Sequence, residues 1–156
     1  MLANIIIILA FILILSVISF MYRNSILDRL KPLPGEKTIF EEDGIKVEQH
    51  GTPRIMNYGK CRIRVTGMRI IIAQKIVFMK NKYMLRFVIT LNRSESREDI
   101  PSTLKMGYYI ASVDKNQINF KPEGALTLVD IPIGGTRHVR FATKAGNDYR
   151  RALALS

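Results

Sequence analysis

The chain has little of what most catalytic and metal sites are built from. Its 156 residues include one cysteine and two histidines. With Cys61 alone, neither an intrachain disulfide nor a cysteine metal cluster can form. His50 and His138 lie far apart in sequence and match no metal-ligand spacing; His50 is expected in a turn and His138 on a strand surface. Gly134-Gly135-Thr136-Arg137 lacks the Gly-Lys-Ser/Thr ending of a P-loop, and no G-x-S-x-G nucleophile elbow occurs. Glu41-Glu42-Asp43 reads most simply as a polar turn. The expectation is therefore a chain that is not an enzyme, with no catalytic residue, no metal and no cofactor. Internal repeats and low-complexity tracts are also missing.

Charge is missing from one region altogether. Residues 2–21, LANIIIILAFILILSVISFM, carry none, and only Asn4, Ser16 and Ser19 interrupt the apolar run. Twenty residues at ~1.5 Å rise make ~30 Å of helix, the thickness of a bilayer's hydrocarbon. No Lys or Arg precedes the run, and Val17-Ile18-Ser19 is a poor cleavage site, so an uncleaved transmembrane helix is expected over 2–21. Arg23, Arg29, Lys31 and Lys37 follow it. Basic flanks stay on the cytoplasmic side, which places the N-terminus out and the following domain in the cytoplasm. On that placement the sequon Asn92-Arg93-Ser94 is a chance match. The run holds no ionisable residue and no small-xxx-small pattern, so it reads as a plain single-pass tether.

All 24 Lys+Arg and all 13 Asp+Glu lie beyond residue 21, which gives that part the full +11. Residues 22–34 form a juxtamembrane connector in which Pro32 and Pro34 stop any helix continuing past Leu30. About 122 residues follow Pro34, enough for one ordinary domain, 35–156. Its pattern is short β runs between turns. Strands are expected at Lys37–Glu41, Ile45–Gln49, Lys60–Val65, Arg69–Ala73, Ile76–Met79, Tyr83–Leu91, Met106–Val113, Gln117–Lys121, Ala125–Ile131 and His138–Ala142. Ile70, Ile71 and Ile72 in succession point to a strand buried on both faces. Asn147 can cap a final short helix whose Tyr149, Ala152 and Leu153 form an apolar stripe. The expected fold is mainly β: a transmembrane helix, an antiparallel sandwich or small barrel, and a short C-terminal helix.

Two stretches carry a family resemblance. They are Gly35-Glu36 and Gly59-Lys60-Cys61-Arg62-Ile63-Arg64-Val65-Thr66-Gly67-Met68-Arg69-Ile70-Ile71-Ile72. Together they resemble the glycine, strand, threonine, turn, arginine, apolar-strand hairpin of GRAM-like and bacterial PH-like domains. The resemblance implies a bent β-sandwich closed by a C-terminal helix, used as a binding or scaffolding module for lipid headgroups or peptides. It implies no catalytic residues. Read from the residues alone, Thr66, Gly67 and Arg69 serve hairpin geometry.

Acidic residues are absent between Gln49 and Ser94, where ten basic residues stand. Lys60, Arg62 and Arg64 alternate along one strand and share a face. Their mutual repulsion calls for carboxylates from elsewhere in the fold or for an anionic partner. The candidate lipid-binding residues are Lys60, Arg62, Arg64, Arg69, Lys80 and Lys82, set against anionic headgroups of the membrane. His138 and Arg140 add a smaller patch. The alternative is a membrane-tethered module that docks a membrane or cytoplasmic protein, through an edge strand or through the loops Asn92–Ser102 and Gly134-Gly135. Nucleic acid is not expected, because few aromatic residues accompany the basic strands.

Overall fold

Two α-helices, eight strands and short 3-10 turns at Leu27–Arg29 and Lys115–Gln117 make up the computed structural model, which describes residues 2–24, 26–91 and 107–154. Helix α1 (Leu2–Asn24) is followed by a single 3-10 turn at Leu27–Arg29. The strands are β1 (Thr38–His50), β2 (Met56–Thr66), β3 (Arg69–Lys75), β4 (Tyr83–Leu91), β5 (Tyr109–Val113), β6 (Asn119–Glu123), β7 (Leu126–Gly134) and β8 (Arg137–Thr143). Helix α2 (Gly146–Ala154) closes the fold.

The strands form one sheet in the order β5-β4-β3-β2-β1-β8-β7-β6. Neighbours run antiparallel, except that β5 lies parallel to β4, with Phe87 opposite Tyr109 and Leu91 opposite Val113. The sheet curls until β5 touches β7. Alternating residues then point into one interior: Cys61, Ile63 and Val65 of β2, Ile70 and Ile72 of β3, Val139 and Phe141 of β8. Tyr149, Ala152 and Leu153 of α2 fill the same core, as their helical spacing predicts. Gly146 lets the helix seat there, since a Cβ would collide with the Thr127 side chain. The helix begins one residue before the expected cap. Asn147 is already inside it, and Thr143 Oγ1 accepts from the Ala145 N–H just ahead.

A second apolar cluster lies on the outer face of β3 and β4. Leu27 and Tyr108 cover Ile71, Ala73, Leu85 and Val88, with Leu30 and Ile110 packed beside them. Strand β3 is therefore buried on both faces. The connector is part of the fold rather than a free spacer: Ile26 bridges Met84 and Leu27 is buried.

Three local expectations change. The two strands expected around Glu42-Asp43-Gly44 are one strand, β1. Gly44 takes φ +81° where the register shifts between Glu42 and Ile45, so a bulge replaces the turn. Ile76–Met79 is not a strand. Lys75 and Tyr83 already face each other, and the chain reverses over residues 76–82. The all-antiparallel expectation fails at β4–β5, which lie parallel.

The expected transmembrane helix over 2–21 is overturned: among the described residues no helix is long and apolar enough to cross a membrane. Side chains of α1 are described for residues 5–19. The single-pass placement, N-terminus out and domain in the cytoplasm, falls with it. The large apolar side chains from Ile5 to Ile18 on α1 are 44–67 % exposed.

Candidate functional site

Strand β2 places Arg62 and Arg64 on its outer face, where the alternation predicts them. The register brings a β1 carboxylate to the same face, with Glu41 opposite Arg64. Arg64 Nε lies 2.6 Å from Glu41, and Arg62 Nε lies 3.0 Å from Asp43 and 3.5 Å from Glu41. The Arg62 guanidinium also rests 4.1 Å above the Tyr83 ring. Its hydrogen bond to Asp43 holds that carboxyl below the usual aspartate range. The repulsion along β2 is thus answered from within the fold.

Arg69 is occupied more completely. It donates two 2.7 Å bonds to the two carboxylate oxygens of Glu36 and a third bond, 2.9 Å, to the Lys31 carbonyl. The two side chains are 4 % and 3 % exposed. Thr66 Oγ1 donates to the same carboxylate at 2.7 Å, as does the Leu33 N–H at 2.8 Å. Burial alone would raise the Glu36 carboxyl, but the bonds from Arg69, Leu33 and Thr66 outweigh it and hold the group below its ordinary value. Gly35-Glu36, Thr66 and Arg69 are therefore one lock, tying the connector to the β2–β3 turn. The hairpin reading of these residues extends to a buried ion pair that the sequence alone did not show.

The other candidates stand at one end of the sheet. Strands β1 and β3 end there at His50 and Lys75, and β2 and β4 begin there at Met56 and Tyr83. Strand β7 ends there and β8 begins, so the turns at 51–55, 76–82 and 135–136 share that end. Gly51, at φ +81°, packs backbone to backbone on Thr136, where a Cβ would overlap the carbonyl. Residues 51–60, 75–82 and 134–137 hold six basic side chains and no acidic one: Arg54, Lys60, Lys75, Lys80, Lys82 and Arg137. All six are exposed. Lys60 sits at φ 53° where the β1–β2 register slips. Lys82 pairs with Asp28 at 2.6 Å, across an open surface. Arg54, Lys60, Lys80 and Arg137 form no ion pair among the described residues.

The two histidines are cross-strand partners, His50 on β1 facing His138 on β8. His50 is therefore on a strand and not in a turn. Register was the missing signal, since it is not written in the spacing. Each imidazole meets a carboxylate, His50 with Glu48 and His138 with Asp130, both at 3.1 Å. Arg140 Nε shares Asp130 at 3.2 Å. His50, Glu48 and Arg140 border an open groove of about 360 Å³ lined also by Lys46, Glu123 and Leu128. Among the described residues no three metal-ligating side chains converge. Cys61 is fully buried, and burial pushes its thiol up to about 12, so it offers no thiolate near neutral pH.

The loop Asn92–Ser102, with its sequon and its acidic residues Glu95, Glu98 and Asp99, lies outside the described residues. Compared with protein-family models, curated proteins and solved structures, the chain matches none.

Proposed function

We propose that the β-domain is a non-catalytic binding module that contacts an anionic lipid surface through the end of the sheet bearing the turns 51–55, 76–82 and 135–136. One observation carries this reading: the stretches 51–60, 75–82 and 134–137 at that end hold six basic residues and no acid of their own, with Asp28 of the connector pairing Lys82, while the arginines of β2 and β3 are matched by carboxylates. Each basic group near an anionic leaflet gains ~1 kcal/mol. Groups fixed on one rigid end act together. They are spread over the turns and the strand ends beside them rather than gathered in a cavity, which suits an extended surface better than a compact anion. A curled sheet closed by a C-terminal helix also supports the PH-like reading, although the parallel β4–β5 pair departs from the antiparallel sandwich that reading implies.

Co-flotation of the full chain with phosphatidylserine and with phosphatidylcholine vesicles tests this. Residues 2–21 carry no charge, so the difference between the two lipids reads the basic residues of the β-domain. Phosphatidylserine should bind more tightly, and the advantage should shrink as salt rises. Equal binding to the two lipids would overturn the reading. So would a stoichiometric protein partner that survives high salt and shields Lys80, which would favour the docking alternative.

A further inference from the structure

The turn between β3 and β4 holds apolar side chains out to solvent. Val77 is 87 % exposed, Phe78 97 % and Met79 49 %. The turn is nonetheless well formed: the Ile76 N–H donates to the Lys82 carbonyl at 2.9 Å and the Met79 N–H to the Ile76 carbonyl at 3.2 Å. A contiguous apolar patch at the apex of a bonded turn marks a contact site rather than a packing failure. Lys75, Lys80 and Lys82 surround it, with no acid between residues 75 and 82. On the neighbouring turn Ile55 is 57 % exposed, and Met56, where β2 begins, is 43 % exposed, beside Arg54.

We propose that Val77, Phe78 and Met79 form a wedge that enters the acyl boundary of an anionic lipid surface while the surrounding lysines hold the headgroups. The proposal rests on the lipid reading above and deepens it by naming the inserting side chains. The chemistry fits an anionic bilayer on both counts. Lysine stems lie along apolar surface with the ammonium in the phosphate layer, and an apolar tip with a cationic rim sinks ~5–10 Å into the interface. Electrostatic contact alone would be lost at high salt; insertion adds a part that salt does not remove.

The chain has no tryptophan, so Phe78→Trp puts its only indole at the apex. With phosphatidylserine vesicles the full-length variant should shift its emission to the blue and be quenched by lipids brominated on the acyl chains. Phe78→Ala should weaken phosphatidylserine binding roughly tenfold and leave the urea midpoint unchanged. Tight, salt-sensitive binding with an unmoved indole and no effect of Phe78→Ala would overturn the wedge and leave the lipid reading standing. Loss of all preference for phosphatidylserine would overturn both.

Discussion

Arg69 and Lys80 carry the same charge and have opposite fates. Arg69 is sealed between β3 and the connector, with both carboxylate oxygens of Glu36 and the Lys31 carbonyl as partners. Lys80 stands on an exposed turn with no ion pair among the described residues. A charge taken out of water needs its partners in place before it can stabilise anything. A charge left in water is free to meet something outside the molecule. The basic content of this chain therefore divides into a structural share on β2 and β3 and an available share at the turns.

The largest effect should come from breaking the sealed pair. Arg69→Ala leaves Glu36 buried and unmatched, and chemical denaturation should show a loss of ~3–5 kcal/mol. A milder cut runs through pH. The folded Glu36 carboxyl sits below its ordinary 4.5, so its contribution is complete above that value and fades as pH falls through the lowered one. Glu36→Gln should thus be less stable than the unaltered chain near neutrality, and the gap should close below pH 4.5. If the gap stays constant across that range, the ion pair is not the source of the stability.

At the turns the ordering reverses. Lys75→Gln combined with Lys80→Gln should weaken phosphatidylserine binding about ten- to thirtyfold, from ~1 kcal/mol for each lost charge. The same double variant should barely move the unfolding midpoint. The smallest effect belongs to Arg64→Ala. Arg64 and Glu41 are 31 % and 33 % exposed, and a half-solvated pair of this kind is worth ~0–1 kcal/mol. Vesicle binding should be nearly unchanged. A large loss there would mean that β2, and not the turns, meets the lipid.

Much of the fold is legible in the sequence because period-2 runs with clear turns leave little choice of face. Tyr83–Leu91 is a strand at its expected limits, and Tyr149, Ala152 and Leu153 meet the core as their spacing predicts. What misled is equally physical. Ile76–Met79 has strand composition, but the register of Lys75 against Tyr83 turns those residues into a reversal. The sequence shows that the basic residues are many, not which of them face a carboxylate. That depends on pairings such as Glu41 with Arg64 and Glu36 with Arg69, which join residues far apart along the chain. The apolar run at 2–21 invited a reading from length and composition alone, which the described part of α1 does not sustain.

The parallel edge sets the order in which the molecule can assemble. Strands β1 to β4 are joined by tight reversals and can zip together from local contacts. β5 pairs with β4 across a longer sequence separation, and β8 pairs with β1 across a far longer one, with Val47 opposite Phe141, so loop-closure entropy falls on these two steps. Closure over the core needs both, because β8 joins β7 to the rest of the sheet and β5 meets β7 across the core. The last hydrogen bonds formed, and the first to open, should be those of these two pairings, Phe87–Leu91 with Tyr109–Val113 and Val47–His50 with His138–Phe141.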